Sequence, residues 1–340
     1  MRKLLNTIYI TNENAYLSLD GELLVCDIGE ERKFKIPFDN IEAVVCFSYP
    51  GCSPAVMGKC VEKLIPISFH SPNGKFLAKV GSNTRGNVFL RAAQIDLFRQ
   101  NALLLAQNTV ASKLHNSLSV IRRSCHDDPA LRTLPQITEV KENLKKSSKS
   151  IYEATSVESL MGMEGNAASE YFSIYGKLFS NKEIDFTYRS KRPPLDPVNA
   201  VLSFLYSVYT GEFASALETV GLDSYFGFYH SLRSGRASLA CDLVEECRCL
   251  VDRFTLSLFN LRILTAEDFE PQKTGAVYLN DDGRKKVLTR WQEKKRTDIV
   301  HPFLKQKIQF GLLPYVQANL LAKYVRGEIA EYPCYLYFVS

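Results

Sequence analysis

The sequence lacks the features that mark a secreted or membrane-spanning protein. Its most apolar stretch, residues 198–211, is too short to cross a bilayer and is interrupted by polar side chains. The first residues show no signal-peptide pattern with a small-residue cleavage site. No Cys-x-x-Cys pair occurs, and nine cysteines, an odd number, argue against a disulfide framework. We therefore expect a cytoplasmic protein without membrane contact, whose reduced thiols mostly fill the core.

A large excess of charge is also missing. The formal net charge is only +5 and the isoelectric point is about 8.6. This permits a nucleic-acid partner but does not argue for one, because phosphate binding depends on local basic clusters. Hydrophobic residues make up 46% of the chain and charged residues 23%, which is ordinary for a globular protein. A chain of 340 residues without repeats or low-complexity tracts is best divided into two domains.

The first part of the chain, residues 1–82, is predicted to be rich in strands. Short segments of β-branched and aromatic residues alternate with turn residues throughout it. Asp20-Gly21 predicts a hairpin that joins strands at residues 16–19 and 22–26. One short helix is predicted over residues 54–61, so this part forms a small sheet domain.

The second part of the chain, residues 83–340, is predicted to be helical. Another turn is expected at residues 71–74, still within the first part. The polar, glycine-rich residues 81–87 are typical of a linker between the two parts. From Val88 onward apolar residues recur at helical spacing, and strand signals nearly vanish until the extreme C-terminus. Asp196 and Pro197 fit the N-cap and the first turn of one of these helices. The predicted fold class is α+β, with a small β-rich N-terminal domain followed by an α-helical domain.

Glu164 breaks the apolar face of a predicted helix over residues 157–179. It lies four residues after Leu160 and four before Ala168, both on the apolar stripe. A carboxylate on such a face is costly unless it is paired or bound to metal. The small residues beside it would let a ligand or another backbone approach closely. The alternative is an edge glutamate that reaches solvent or an arginine.

A second cluster of acids follows a histidine. Ser238 is suited to cap a helix whose apolar side extends to Leu258. Asp242, Glu245 and Glu246 crowd together along it at spacings of three and four residues. His230 lies just upstream and could fold back onto them. Carboxylates with one histidine suit Mn²⁺ or Mg²⁺ better than zinc. The alternative is a solvated acidic face next to an unrelated histidine.

Several motifs, taken in their order along the chain, resemble one protein family. They resemble the Cas1 integrases of CRISPR spacer acquisition, and in detail their subtype I-C branch. No single motif is decisive, but the resemblance covers nearly the whole chain. The main motifs are Met161-Gly162-Met163-Glu164-Gly165, Arg192-Pro193-Pro194-x-Asp196-Pro197, Gly227-Phe228-x-His230 and Asp242-Leu243-x-Glu245.

The resemblance implies a metal site and an architecture. Glu164, His230 and Glu245 fall on the family's metal ligands, with Asp242 as support and Glu246 as the alternative third ligand. The family has a β-sandwich-like N-terminal domain, here expected to form a homodimer, and an all-α catalytic domain. It acts with a small second Cas protein that bridges two dimers. Subtype I-C systems also encode a Cas nuclease that trims spacer ends.

The implied reaction joins protospacer DNA to a CRISPR repeat through attack of a DNA 3′-hydroxyl on a repeat phosphodiester. Basic residues must hold the DNA, and two groups are candidates, although such runs are more often solvated faces. A non-catalytic DNA-binding scaffold and a structure-specific metal-dependent nuclease are the competing interpretations. The first group of basic candidates is Arg189, Lys191 and Arg192, and the second is Arg233, Arg236 and Arg248.

Overall fold

A computed structural model describes residues 6–71, 76–80, 87–181 and 183–338 of the chain. Residues 72–74 of the second predicted turn and residues 81–86 of the predicted linker lie outside the described residues. The division between residues 82 and 83 also falls there and stays a prediction. Immediately afterwards a long helix begins at Val88, and the Asn87 side chain caps it by accepting a hydrogen bond from the Leu90 amide at 3.0 Å.

The N-terminal part is built from two sheets and one helix. A four-stranded sheet has the order β1-β5-β6-β7, in which only the β6–β7 pair is antiparallel. A three-stranded antiparallel sheet has the order β2-β3-β4. The elements are β1 (Thr7–Ile10), β2 (Ala15–Asp20), β3 (Leu23–Ile28), β4 (Glu31–Pro37), β5 (Ala43–Cys46), α1 (Pro54–Glu62), β6 (Ile67–His70) and β7 (Phe76–Val80).

One apolar core joins these two sheets and confirms the β-rich prediction. Leu17, Leu24, Val44, Val56 and Ile67 come from both sheets and from α1, and all are fully buried in the same cluster. The predicted hairpin forms as β2 and β3, whose turn has Gly21 at φ +59°, a conformation that favours glycine. The short helix also forms, with the Ser53 hydroxyl accepting from the Val56 amide at 3.3 Å.

The rest of the chain is mainly helical, as predicted. A second hydrophobic cluster runs through its helices, and the 40-residue α2 crosses it with buried residues along most of its length. The elements are α2 (Val88–Asp127), α3 (Pro135–Ser150), α4 (Val157–Tyr175), α5 (Pro197–Val220), α6 (Ser238–Glu245), α7 (Arg248–Asn260), β8 (Phe269–Pro271), β9 (Val277–Leu279), α8 (Asp281–Lys295), β10 (Asp298–Val300), β11 (Lys307–Gln309) and α9 (Leu313–Val325).

The strands of this second part were not predicted. Two small antiparallel hairpins, β8–β9 and β10–β11, interrupt the helices, so the domain is not purely α-helical. Each strand has only three residues, too few to give a period-two pattern. The strand signal at the extreme C-terminus was misleading within the described residues. There the chain bonds to side chains instead, as when the Tyr337 amide donates to Asn116 at 2.7 Å.

Helix starts were predicted with mixed success. Asp196 caps α5 by accepting from the Asn199 amide at 2.8 Å, and Pro197 takes the first helical position, as expected. Ser238 does not cap α6, because it is already helical and its hydroxyl donates to the Ser231 carbonyl at 3.2 Å. The helix expected to continue from Ser238 through residue 258 is instead two helices, separated at residues 246–247.

A partly buried glutamate connects the two parts of the molecule. Glu212 on α5 accepts hydrogen bonds from Tyr9 on β1 at 3.1 Å and from Trp291 on α8 at 3.2 Å. The ammonium of Lys295 lies 3.1 Å from the same carboxylate oxygen and 3.1 Å from the Thr7 hydroxyl. This one carboxylate therefore fixes β1 against two helices. No described helix combines the length and the apolar character that a bilayer crossing requires.

We expect Glu212→Ala to lower the free energy of unfolding by about 3 kcal/mol, because the ammonium of Lys295 would stay buried without its carboxylate. The midpoint of urea denaturation measures this loss. Glu293→Ala is the matched control, since Glu293 pairs with Arg290 at the surface and should change stability by no more than about 0.5 kcal/mol. Equal effects of the two substitutions would contradict the role given to Glu212.

Candidate metal centre

Two glutamates from different helices meet at one cation. Glu164 on α4 and Glu245 at the end of α6 both contact the ammonium of Lys113 on α2. The Lys113 Nζ lies 2.7 Å from Glu245 Oε2 and also donates to Glu164 Oε1. Glu164 therefore neither reaches solvent alone nor pairs with an arginine. Its carboxylate and that of Glu245 converge on a single position.

His230 is the third group at this position, and Asp242 holds it there. The His230 Nδ1 lies 2.7 Å from Asp242 Oδ1, so its N–H donates to the carboxylate and the Nε2 lone pair stays available. The Nε2 atom is directed toward Glu245, 3.7 Å from its Oε1. The sequence predicted that His230 could fold back onto Asp242 and Glu245. The structure brings these three residues together and adds Glu164 from a distant helix.

Asp242 is a fully buried clamp for the loop that carries the histidine. Its carboxylate also accepts hydrogen bonds from the backbone amides of Phe228, Tyr229 and His230, at 2.7 to 3.0 Å. Gly227 permits this arrangement, because a Cβ there would lie 2.4 Å from Asp242 Oδ2 and 2.8 Å from the backbone of Ser238. The loop geometry and the orientation of the imidazole are therefore set together.

Glu245 remains ionised although its side chain is only 4% exposed. Burial alone would raise its pKa, but the charges of Arg248 and Lys113 outweigh burial and bring the pKa to about 2. The Arg248 Nη2 lies 2.8 Å from Glu245 Oε1, and its guanidinium stacks on the Tyr206 ring at 4.6 Å. Each oxygen of Glu245 therefore has its own cationic partner.

Glu246 points away from this cluster. Its fully buried carboxylate accepts from Gln317 at 2.8 Å, from the Tyr332 hydroxyl at 2.6 Å and from the Tyr335 amide at 2.8 Å. Burial raises the pKa of Glu246 to about 7. These partners belong to α9 and the C-terminal segment, so Glu245 and Glu246 face opposite sides of the corner between α6 and α7.

The residues around Lys113 fit a hard divalent cation. Within the described ranges, no three His, Cys, Asp or Glu side chains already stand at metal-binding distances. Instead, an ammonium lies where two carboxylates converge, which shows that the position accommodates a cation. Two carboxylates and an imidazole nitrogen are suitable ligands for Mn²⁺ or Mg²⁺. The Glu164 side chain is 20% exposed, so the site can be reached from solvent on that side.

The basic candidates for DNA binding differ in their contacts and in their exposure to solvent. Arg189 is drawn into the fold, where its guanidinium donates to Asn199 at 2.7 Å and to Ser203 at 3.0 Å, so its contacts favour a structural role. Lys191 reaches the surface beside the acids. Partial burial, together with the charges of Arg248 and Lys113, lowers its pKa.

The remaining candidates lie at the surface or against the acids. Arg192 and Arg233 are exposed, and Arg236 is half-buried near the start of α6. Arg248 is committed to Glu245, as described above. The exposed members of both groups are therefore the ones available to a ligand outside the protein.

Lys113 was missed by the sequence reasoning, although the sequence contains a signal for it. It is the only Asp, Glu, Lys or Arg among residues 100–121, which form most of α2. Neighbours on both sides, including Val110, Leu114 and Ile121, are buried. A lone charge in such a long uncharged segment predicts a buried partner, but nothing in the pattern identifies that partner.

A buried aspartate on α7, Asp252, is hydrogen-bonded to tyrosines next to the cluster. Asp252 accepts from the Tyr171 hydroxyl at 3.1 Å and from the Tyr206 hydroxyl, the same ring on which Arg248 stacks. The Tyr175 hydroxyl donates to the Asp252 carbonyl at 2.8 Å. Burial raises the pKa of Asp252 to about 6. These contacts connect α4, α5 and α7 beneath Glu164 and Arg248.

Comparison with known proteins gives consistent similarities. The family model described as CRISPR associated protein Cas1 matches residues 8–293. A relative named CRISPR-associated endonuclease Cas1 2, from Rhodospirillum rubrum, is 41% identical over 340 residues and covers 98% of each chain.

Two solved structures share the fold. A casposase bound to its integration product has a TM-score of 0.83 at 20% identity and covers 96% of this chain and 92% of its own. A chain of a Cas6-RT-Cas1–Cas2 complex also has a TM-score of 0.83, at 22% identity, and covers 98% of this chain and 36% of its own. At these identities the likeness concerns the architecture alone.

We expect Asp252→Asn to change how stability depends on pH. Because the folded pKa of Asp252, about 6, lies above its ordinary value of 3.8, the native state binds the proton more tightly. The contribution of this group to stability is thus greatest below pH 4 and declines by about 3 kcal/mol as pH rises to 6. The variant lacks this decline, so its stability relative to the native chain should increase over that range.

Urea denaturation between pH 4 and 8 measures the difference between the two proteins. Other titrating groups, including Glu246, contribute equally to both and cancel. A difference that stays constant with pH would show that Asp252 does not titrate in this way.

Proposed function

Because the chain belongs to the Cas1 family of CRISPR-associated proteins, we propose that it is a metal-dependent DNA endonuclease and integrase of CRISPR adaptation. One observation carries this proposal: Glu164 and Glu245 converge on a single cation position, with His230 beside it. The name of the 41% identical relative supports the endonuclease activity.

The proposed ligands are Glu164, His230 and Glu245, and Asp242 positions the histidine. When bound, the divalent cation would supply Lewis acidity to a phosphodiester oxygen. The burial of Asp242 and its four hydrogen bonds restrict the imidazole to one orientation, with Nε2 toward the site. The contacts of Glu246 with Gln317 and the C-terminal segment favour Glu245 over Glu246 as the third ligand. Mn²⁺ and Mg²⁺ both suit these ligands.

The proposed reaction needs no nucleophilic side chain. The 3′-hydroxyl oxygen of a protospacer bonds to the phosphorus of a repeat phosphodiester, and the bond from that phosphorus to the repeat 3′-oxygen breaks. The proton lost by the attacking hydroxyl is balanced by the one gained at the leaving oxygen. If water attacks instead, the same site cuts DNA, so nuclease and integrase activities are two outcomes of one arrangement.

The finer assignments are also part of this proposal. They include the subtype I-C branch, a homodimer formed through residues 1–82, a small second Cas protein that bridges two dimers, and a Cas nuclease that trims spacer ends. The complex that contains Cas1 and Cas2 supports the presence of a second Cas protein. Protospacer and repeat DNA would approach from the solvent side of Glu164, where Lys191 lies near this carboxylate.

We expect Glu164→Ala to abolish the joining of labelled duplex DNA to a repeat-bearing plasmid in Mn²⁺, in the presence of the second Cas protein. The loss should be about 10³-fold, because removal of a ligand takes away several kcal/mol of charge stabilisation. Glu158→Ala is the matched control, since Glu158 is exposed in the first turn of the same helix. Full activity in Glu164→Ala would contradict the proposal.

The same assay separates the competing functions. Glu164-dependent cutting without joining would indicate a structure-specific nuclease. DNA binding without either reaction would indicate a scaffold.

We expect Arg192→Ala and Arg233→Ala each to weaken DNA binding and to reduce the salt slope, the change in log affinity with log salt, by about 1. Both side chains are exposed and could contact phosphates. Arg189→Ala should leave the slope unchanged and lower stability, because Arg189 bonds to Asn199 and Ser203. Arg32→Ala, an exposed arginine on β4, serves as a control that should change neither property.

Fluorescence anisotropy of labelled duplex DNA at several salt concentrations measures these slopes. A reduced slope in Arg189→Ala, with unchanged slopes in the other two, would reverse the assignment of the DNA-binding surface.

A further inference from the structure

Lys113 occupies the position on which the candidate metal centre depends. Its ammonium contacts Glu164 Oε1 and lies 2.7 Å from Glu245 Oε2. Its side chain is 15% exposed, and those of Glu164 and Glu245 are 20% and 4% exposed. The cation is therefore enclosed between two carboxylates rather than placed at the surface of the site.

The electrostatic surroundings explain why a cation must be present. Two carboxylates that converge on one point with little solvent repel each other, and each loses hydration. Burial lowers the pKa of Lys113, but the charges of Glu245 and Glu164 outweigh it and raise the pKa above its usual value. The ammonium is thus held in its charged form by the same carboxylates that would bind a metal.

Arg248 does not compete for this position. Its guanidinium is fixed against the other oxygen of Glu245, at 2.8 Å, and stacks on the Tyr206 ring. Lys113 instead reaches its carboxylates through a flexible four-carbon chain and acts as a point charge. Of the two cations that contact Glu245, Lys113 is the one on a flexible stem and the one that also contacts Glu164.

We propose that Lys113 is a built-in counter-ion, which occupies the cation position while no metal is bound and is displaced when a divalent metal enters. This inference rests on the proposed function, because it takes Glu164 and Glu245 as ligands of that metal. An ammonium and a divalent ion cannot share one position between two carboxylates, since like charges at such separations repel strongly. Lys113 therefore keeps the ligands together without metal and weakens the apparent metal affinity.

The first test is Mn²⁺ binding to the full chain by isothermal titration calorimetry. Lys113→Met keeps the length of the side chain but removes its charge, so Mn²⁺ should bind about tenfold more tightly or better. Lys113→Arg keeps the charge and should bind no more tightly than the native chain. Without metal, in EDTA, Lys113→Met should unfold at a lower temperature, and Mn²⁺ should restore more stability to it than to the native chain.

The controls distinguish failure of this inference from failure of the proposed function. If the native chain binds Mn²⁺ and Glu164→Ala does not, the metal site stands. Unchanged or weaker binding by Lys113→Met would then overturn the counter-ion role alone. If Mn²⁺ binding does not depend on Glu164, the proposed metal site itself is wrong.

A second measurement uses the native chain and does not require any variant to fold. Acetic anhydride labels accessible lysines, and mass spectrometry gives the extent of labelling at each position. Labelling of Lys113 should rise severalfold when Mn²⁺ is added, whereas Lys323 on α9 should not change and serves as the internal reference. No Mn²⁺-dependent change at Lys113 would show that the ammonium is not displaced.

Discussion

The candidate site depends on one constraint: two carboxylates with little exposure must share a cation. Glu164 and Glu245 belong to helices distant in the chain, and they lie close together because Lys113 on the central helix α2 neutralises both. Without that charge their approach would be repulsive. The surrounding structure supports this arrangement, with Arg248 against the second oxygen of Glu245 and Asp252 beneath Arg248 through the Tyr206 ring.

Three buried acids near the start of α7 have clearly separate roles. Asp242 gathers three backbone amides and the imidazole of His230, and so organises the loop before α6. Glu245 faces the cation, and Glu246 anchors the C-terminal segment. The side chain of Asn116 joins this anchor to α2, since it donates to the Glu246 carbonyl at 2.7 Å. The segment near the C-terminus is thereby connected to the same corner that carries Glu245.

Much of the arrangement was predictable from local rules. Glu164 is conspicuous because a carboxylate interrupts an apolar helical stripe, and Asp196-Pro197 is a clear helix start. The β-rich start and the helical remainder follow from a change in the period of apolar residues near residue 88. Seven of the nine free cysteines are buried, as expected for thiols that fill cores.

Other features depend on contacts between distant segments, which no local pattern contains. Glu246 faces away from Glu245 because it bonds to Gln317 and Tyr332, which lie far along the chain. The sequence suggests Arg189 as a DNA-binding candidate. In the structure its guanidinium instead donates hydrogen bonds to Asn199 and Ser203. The break of the helix at residues 246–247 and the partners of Lys113 are likewise consequences of tertiary packing.

The most direct test of the central claim is the anomalous scattering of Mn²⁺ in crystals of the native chain. The account predicts one strong peak about 2.0 to 2.5 Å from a carboxylate oxygen of Glu164, from Glu245 and from the Nε2 of His230. A peak coordinated elsewhere, or no peak at saturating Mn²⁺ with those three side chains unmoved, would contradict it.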